Sequence, residues 1–297
     1  MKQASVVCYG EVLWDIFPGS AKPGGAPMNV AYHLNKLGLQ SHMISRVGND
    51  DLGRQLLQQL QHWNISTQWC QQDIQYPTGT VLATEGADHE MSYDIIKPVA
   101  WDYIEWKDEL DPLLKHADAL VFGSLATRNE TSYHTLLSLL EISSFRIFDI
   151  NIRPPHSNID IIKLLLAETD LVKMNLSELE LLLCEEGISA ASITEGAQKL
   201  LEKYEFSGMI ITKGSQGAMF LDSTTFCERP AYQVTVKDTV GSGDAFLAGF
   251  LSRYLHGNMA EPAMDFATGL SAFVTTQEGA CPDYEPAQLP QLFASLA

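Results

Sequence analysis

A short segment near the C-terminal end of the chain, residues 238–246, carries residues suited to chemistry on an anion. Two glycines and a serine precede an aspartate there: Gly241, Ser242, Gly243 and Asp244. Apolar residues recur at helical spacing after them, so the glycines are predicted to lie where a loop enters a helix. Free backbone N–H groups at such a junction can hold an anion, and the adjacent carboxylate could accept a proton from an attacking hydroxyl. The alternative is a capped helix after a tight turn, because aspartate in a first turn also stabilises a helix.

A second pair of glycines, Gly24 and Gly25, precedes a helical pattern that contains Asn29 near its start. Glycines allow the backbone to approach a small ligand closely, and an asparagine side chain both donates and accepts hydrogen bonds, which suits a sugar hydroxyl. An N-cap asparagine after a turn explains the same residues. Both interpretations remain open from this segment alone.

Polar residues also follow two predicted strands in the middle of the chain. Asp149, Asn151 and Arg153 stand at alternating positions, so an extended backbone would place them on one face. Asn175 and Glu178 stand where the next strand meets a helix, and they could form a capping box. They could instead hold a magnesium ion through water, because Mg²⁺ retains most of its water ligands.

A glycine-rich turn with Thr212, Gly214 and Gly217 follows a further predicted strand. It is either a simple turn or a contact to phosphates. The sequence has no Walker-type phosphate loop, no dinucleotide-binding glycine motif after the first strand and no hydrolase nucleophile motif. A dinucleotide site and a hydrolase site therefore have no support in the sequence.

The elements that must position these residues alternate between strands and helices. Strands are predicted at residues 119–122, 146–149, 171–174, 209–212 and 234–236, with helical patterns between them. This alternation predicts an α/β fold with a central, mostly parallel sheet and helices on both faces. Such sheets bind ligands at the carboxyl ends of their strands, where several of the polar residues above stand.

Two segments depart from this alternation. Residues 76–96 are predicted to form a β-hairpin with a polar tip at residues 85–90, and residues 12–17 are another predicted strand. Together they predict a small sheet inserted in a single α/β domain that spans residues 1–297. Small sheets beside a site at strand ends often act as lids that exclude water.

Composition narrows the class of protein. The net charge of −18 would repel nucleic acid and anionic membrane surfaces, so neither is an expected partner. The five cysteines are scattered and lack the spacing of a zinc site or a disulfide framework. The sequence shows no signal peptide and no membrane-spanning run, so we expect a soluble, reduced, cytoplasmic protein.

The order of these motifs along almost the whole chain resembles the ribokinase-like (PfkB) carbohydrate kinases. Residues 238–246 are similar to the C-terminal signature of that family, and residues 24–29 are similar to its N-terminal sugar-binding signature. The Asn-x-x-Glu pattern that begins at Asn175 is similar to its magnesium motif, and the turn at Thr212 to its nucleotide-phosphate turn. Within the family the chain looks most like bacterial fructokinases, although Ser242 stands where alanine is usual.

The resemblance implies a ribokinase-like fold and a set of roles. Asp244 would be the general base that takes a proton from a primary hydroxyl of the sugar. The N–H groups of Gly241, Ser242 and Gly243 would stabilise the transferring phosphoryl group. The residues implied to bind the sugar are Asp15, Gly24, Gly25, Asn29 and Arg153. Those implied to bind ATP are Lys173, Asn175, Glu178, Thr212, Gly214 and Gly217, with Asn175 and Glu178 also holding Mg²⁺ through water.

The resemblance further implies a potassium site and a reaction. The potassium site would be formed by Asp238, by the carbonyls of Val240, Val274 and Gly279, and by Asp283. The expected reaction transfers the γ-phosphate of ATP to D-fructose, giving fructose 6-phosphate. The alternatives are ribokinase or 2-keto-3-deoxygluconate kinase activity within the same family, or a non-catalytic sugar-binding homologue. The protein is expected to be a monomer, or a homodimer formed through the lid.

Overall fold

The structure, a computed structural model, describes residues 3–85, 91–257 and 259–296. In chain order its strands are β1 (Ser5–Tyr9), β2 (Leu13–Phe17), β3 (Ser20–Gly24), β4 (Gln40–Gly48), β5 (Cys70–Asp73), β6 (Gly79–Glu85), β7 (Met91–Ile95), β8 (Ala119–Gly123), β9 (Arg146–Asp149), β10 (Leu171–Asn175), β11 (Gly208–Thr212), β12 (Ala218–Leu221) and β13 (Phe226–Arg229). Its helices are α1 (Ala26–Lys36), α2 (Asp51–His62), α3 (Leu110–His116), α4 (Glu130–Ile142), α5 (Ile159–Ala167), α6 (Leu176–Glu185), α7 (Ile193–Tyr204), α8 (Ser242–Tyr254), α9 (Ala260–Thr275) and α10 (Leu289–Leu296). Within the described ranges, no helix combines the length and the apolar character needed to cross a bilayer.

The larger sheet contains nine strands in the order β13-β12-β11-β10-β9-β8-β1-β4-β5. The strands from β11 to β5 pair in parallel, whereas β12 and β13 pair antiparallel at one edge. Parallel neighbours need crossover connections, and helices supply most of them here. The predicted α/β fold with a mostly parallel sheet is therefore confirmed, and four of the predicted strands correspond to β8, β9, β10 and β11.

Helices cover both faces of this sheet. Alternate side chains of β1 enter separate cores, with Val6 and Cys8 in one core and Val7 and Tyr9 in the other. The first core includes apolar residues of α1, α2, α8 and α9, and the second includes those of α3, α4, α5, α6 and α7. A parallel sheet buried on both faces explains why its strands appear in the sequence as continuous apolar runs.

The smaller sheet has four strands in the order β3-β2-β6-β7. The two predicted segments outside the main alternation supply β2, β6 and β7, as expected. Strand β3, which contains Pro23 and pairs antiparallel with β2, was not predicted, because a short polar run with a proline is a weak strand signal. Residues 86–90 of the predicted polar tip lie outside the described residues. The lid role of this sheet stays a prediction.

The prediction of a strand at residues 234–236 is wrong. No strand follows β13 in the described part of the chain, and residues 230–240 run without regular structure to α8. Val234 and Val236 line a cavity beside α8 instead of pairing in the sheet. Their alternating apolar pattern therefore reflects contact with a cavity and not with a sheet core.

Candidate active site

The start of α8 forms an open anion site. Gly241 precedes the helix with a φ of 76°, and a Cβ at this position would lie 2.3 Å from the Cβ of Ala280, so the left-handed turn requires glycine. The N–H of Ser242 donates to a loop carbonyl at 3.3 Å and is not free, contrary to the prediction. Across the described residues, the N–H groups of Gly241, Gly243 and Asp244 have no acceptor. Three amides at the positive end of the helix therefore remain available to an anion.

The carboxylate of Asp244 is held in place from another helix. Asn29 of α1 donates from Nδ2 to Oδ2 of Asp244 at 2.8 Å, across a sequence separation of 215 residues. Asn29 is not the N-cap of α1, because the helix begins at Ala26 after Gly25. The Sγ of Cys281 donates to the other end of the Asn29 amide, at 3.4 Å from Oδ1. The asparagine thus orients the carboxylate, and the N-cap interpretation is wrong.

A buried ion pair lies beside this carboxylate. Lys173 of β10 donates from Nζ to Oδ2 of Asp149 at 2.7 Å, and both side chains are less than a tenth exposed. A Cβ on Gly243 would lie 3.3 Å from the same Nζ, so the ammonium group sits directly against the first turn of α8. The positive charge of Lys173 therefore adds to the three free amides.

The surroundings of Asp244 set its protonation. Burial and the charge of Asp149 raise the pKa of Asp244 to about 6, while Lys173, the Asn29 hydrogen bond and Arg153 limit the rise. The pKa of Lys173 is raised, because the charges of Asp149, Asp244 and Glu178 outweigh a burial effect that alone would lower it. Near neutral pH, Asp244 is therefore an ionised carboxylate with more affinity for a proton than a surface aspartate has, as a general base requires.

Two cavities adjoin at the start of α8. The larger encloses about 620 Å³ and the smaller about 460 Å³. Four residues line both of them: Asn175, Thr212, Thr239 and Gly243. Asp244 lines the larger cavity only, and the predicted turn residues Gly214 and Gly217 line the smaller one. A group transferred between molecules bound in the two cavities would pass the free amides of α8.

The larger cavity brings together most of the residues predicted to bind sugar. Asp15, Gly25, Asn29 and Arg153 line it. Gly25 has a φ of 118°, and a Cβ there would lie 2.4 Å from the carbonyl oxygen of Glu11, so no side chain fits. Gly24 does not line the cavity, but its lack of a side chain leaves room for the carboxylate of Asp15, which would lie 2.3 Å from a Cβ.

The segment after β9 reaches the same cavity by a different path from the one expected. Asp149, Asn151 and Arg153 all line the larger cavity. The backbone is not extended there, because Asn151 has a φ of 47°. The three residues therefore line one cavity, but the extended backbone on which the prediction of a shared face depended is absent. The side chain of Arg153 is exposed and donates to the carbonyl of Ile152.

Asn175 and Glu178 form the capping box of α6. Oδ1 of Asn175 accepts from the N–H of Glu178 at 2.9 Å, and Oε2 of Glu178 accepts from the N–H of Asn175 at 2.8 Å. The other oxygen of Glu178 accepts from the N–H of Ile152 at 2.8 Å. The described residues contain no cluster of three or more side chains that could hold a metal ion by themselves. Because these oxygens already accept backbone N–H groups, the pair could contact a magnesium ion only through water, and this role stays a prediction.

The predicted potassium residues are partly assembled. The carboxylate of Asp238 accepts from the N–H groups of Val240 and Gly279, each at 3.0 Å, so it joins the loop before α8 to the loop after α9. The carbonyl of Val274 accepts from the N–H of Gln277 at 2.9 Å. Asp283 instead pairs with Lys36 at 2.6 Å and has a 90% exposed side chain, so its contacts do not support a place in this site.

Sequence reasoning missed several residues of both cavities. Glu11 and Thr239 were not assigned to a site, although each lines the larger cavity. Tyr232 and Gln233 line the smaller cavity from the irregular segment after β13. Four residues of α9 also line the smaller cavity: Thr268, Ser271, Ala272 and Thr275.

Comparisons with known proteins agree with this geometry. A family model described as pfkB family carbohydrate kinase matches residues 3–287. The chain belongs to this family. It is 29% identical over 295 residues to fructokinase from Salmonella typhimurium, with 93% of this chain and 95% of the relative covered. It is 28% identical over 269 residues to ATP-dependent 6-phosphofructokinase from Thermoanaerobacterium thermosaccharolyticum, with 88% of this chain and 81% of the relative covered.

A solved structure shows the same architecture. A double mutant of fructokinase from Vibrio cholerae O395, in its fructose, ADP and potassium ion bound form, superposes with a TM-score of 0.83 at 25% identity, and the match covers 98% of both chains. The ribokinase-like fold is therefore confirmed, and this PfkB-family protein is a carbohydrate kinase.

Proposed function

We propose that this PfkB-family kinase transfers the γ-phosphate of ATP to the primary hydroxyl of D-fructose, giving fructose 6-phosphate. The observation that carries the proposal is the position of Asp244. It lies in the wall of the larger cavity, beside three free amides at the border of the smaller one. The relatives named fructokinase support the choice of sugar.

In the proposed reaction, each of the two cavities binds one substrate. The sugar occupies the larger cavity, where Asn29 and Asp15 contact its hydroxyls and Asp244 accepts the proton of the attacking hydroxyl. ATP occupies the smaller cavity, with its phosphates at the turn of Gly214 and at the start of α8. The free amides and Lys173 stabilise the charge that develops on the transferring group.

Magnesium and potassium ions are also expected at the site. Magnesium would be held by the ATP phosphates, with Asn175 and Glu178 in its outer sphere, and it supplies charge neutralisation when bound. Potassium would lie at Asp238, whose contacts to Val240 and Gly279 already fix the loop that carries Gly241. The smaller sheet would close over the sugar and exclude water, which competes as a phosphoryl acceptor.

A substrate panel tests this function. We expect ATP-dependent ADP release with fructose to exceed that with ribose, adenosine, 2-keto-3-deoxygluconate and fructose 6-phosphate, measured as kcat/KM in a coupled assay. A preference for another neutral sugar would retain the kinase and reject fructose. Absence of ADP release with every sugar, despite sugar binding, would favour the non-catalytic homologue.

Gly241→Ala should lower kcat at least about tenfold, because the new Cβ collides with Ala280 and displaces the free amides. Gly257→Ala is a matched control, since its φ of 79° is similar and no described atom lies within 4 Å of the added Cβ. Both variants should lose about 1–2 kcal/mol of stability from the left-handed backbone. Urea unfolding and steady-state kinetics check this, and equal turnover in the two variants would contradict the role of the amides.

A further inference from the structure

A buried carboxyl group lies in the wall of the larger cavity and has no role in the reaction described above. Glu11 follows β1 and is 2% exposed. It lines the same cavity as Asp15, Asn29 and Asp244. One of its oxygens, Oε1, accepts from the N–H of Ala26 at 3.2 Å, at the first residue of α1. The other, Oε2, is buried and has no hydrogen-bond partner among the described residues.

A buried oxygen without a hydrogen bond, such as Oε2 of Glu11, is unusual in a folded protein. A buried polar atom without a hydrogen bond destabilises the fold, so such atoms are rare and tend to be satisfied by water or by a ligand. The contact of Glu11 with α1 uses only Oε1. A neutral side chain with one acceptor, such as glutamine, would serve that contact equally well. The second oxygen and its charge therefore point to a function beyond capping α1.

The charges around Glu11 favour a neutral ligand. The charged side chains that line the larger cavity are Glu11, Asp15, Asp149, Glu178, Asp244, Arg153 and Lys173. Lys173 is already paired with Asp149, and the side chain of Arg153 is exposed. Glu11, Asp15 and Asp244 form no salt bridge among the described residues, and the five carboxyl groups of the lining outnumber its two cations. Arg153, Lys22 and Lys173 reduce the negative potential at these three groups without cancelling it.

The raised pKa values of Glu11 and Asp15 have burial as their main cause and nearby carboxylates as a smaller one. Burial raises the pKa of Glu11 to about 7, with a smaller contribution from Asp244. Burial and the charge of Asp238 raise the pKa of Asp15 to about 6. A phosphate or carboxylate carried by the sugar, away from the free amides at the start of α8, would meet these carboxyl groups at low local dielectric, where like charges repel strongly.

We propose that Glu11 is a substrate-specificity residue, whose free Oε2 binds a hydroxyl of a neutral sugar and whose charge, with Asp15 and Asp244, excludes sugars that carry a phosphate or a carboxylate. This inference rests on the proposed kinase function and narrows its substrate class. It separates fructose from 2-keto-3-deoxygluconate and from fructose 6-phosphate, a distinction that family membership leaves open.

Glu11→Gln tests the inference, since it keeps the volume and the acceptor for the N–H of Ala26 but removes the charge. Glu202→Gln, at an exposed position on α7, is the control for loss of a carboxylate elsewhere. Binding of fructose and of 2-keto-3-deoxygluconate is measured by calorimetry at pH 8, where the Glu11 carboxylate is ionised. Fructose 6-phosphate is tested only as a phosphoryl acceptor, because it is also the product of the proposed reaction. Steady-state kinetics with ATP follow on the same proteins.

The expected result is a split between binding and turnover. A charge-assisted hydrogen bond becomes a neutral one in Glu11→Gln, so Kd and KM for fructose should rise about tenfold, while kcat changes less than about threefold. The preference for fructose over the two anionic sugars should fall by about tenfold or more. Glu202→Gln should match the wild-type protein in every measurement.

Three outcomes would overturn the inference, and they are distinguishable from one another. Wild-type affinity and wild-type sugar preference in Glu11→Gln would show that Glu11 is structural, with the kinase function intact. A higher kcat/KM with an anionic sugar than with fructose in the wild-type protein would reject a neutral substrate class. Failure of the wild-type protein to bind or phosphorylate any of the sugars would reject the proposed function together with the inference.

Discussion

Asp244→Asn is expected to lower kcat by at least about 10²-fold while both substrates still bind. The amide cannot take the proton of the attacking hydroxyl, but it retains the size of the carboxylate and can still contact Asn29. The free amides at the start of α8 stay in place, so the phosphate site is preserved. Calorimetry with fructose and with an ATP analogue, beside steady-state kinetics, separates the two effects.

The control for Asp244→Asn is Asp160→Asn. Asp160 also lies in the first turn of a helix, α5, but is exposed and lies outside both cavities. Any effect of a first-turn carboxylate on helix stability should appear in both variants, whereas the loss of kcat should appear in Asp244→Asn alone. Near-normal turnover in Asp244→Asn would reject Asp244 as the base.

The sequence predicted those features that depend on local chain chemistry. The glycine pattern at Gly241 indicated an anion site at a helix start, because the turn there needs a left-handed residue with no side chain. The Asn175–Glu178 pattern indicated a capping box, and the structure contains one. Strands β8 to β11 were recognisable because burial on both faces makes them continuous apolar runs.

Contacts between distant parts of the chain were not predictable in the same way. The hydrogen bond from Asn29 to Asp244 and the ion pair of Lys173 with Asp149 depend on which helices and strands become neighbours. The sequence around Asn29 suggested an N-cap role. An asparagine near a predicted helix start looks the same in the sequence whether it caps that helix or contacts a distant part of the chain. The unpartnered oxygen of Glu11 becomes visible only when its neighbours are known.

Lys173→Met is expected to destabilise the fold by about 3–5 kcal/mol, because it leaves the buried carboxylate of Asp149 without its cation. Urea unfolding at pH 8 measures this, since lysine is charged there in both the folded and the unfolded state. Lys115→Met is the matched control. Its partner Asp111 is also one carboxylate, but the lysine is 62% exposed, so the loss should stay below about 1 kcal/mol.

The same substitution should change the pH dependence of activity, which a purely structural role would not do. In the wild-type enzyme, kcat should fall as the pH drops through about 6, where Asp244 becomes protonated. The measurement uses kcat because the charge of Glu11 is expected to act mainly on KM. Lys173 lowers the pKa of Asp244 and Asp149 raises it, so Lys173→Met should move this midpoint to higher pH.

Adding Asp149→Asn to Lys173→Met removes the opposing charge, and the double variant should regain stability and a midpoint nearer to that of the wild type. Its kcat should stay low, because the ammonium group beside Gly243 is missing at the transferring phosphoryl group. An unshifted midpoint in Lys173→Met would show that the ion pair supports the fold without tuning the base.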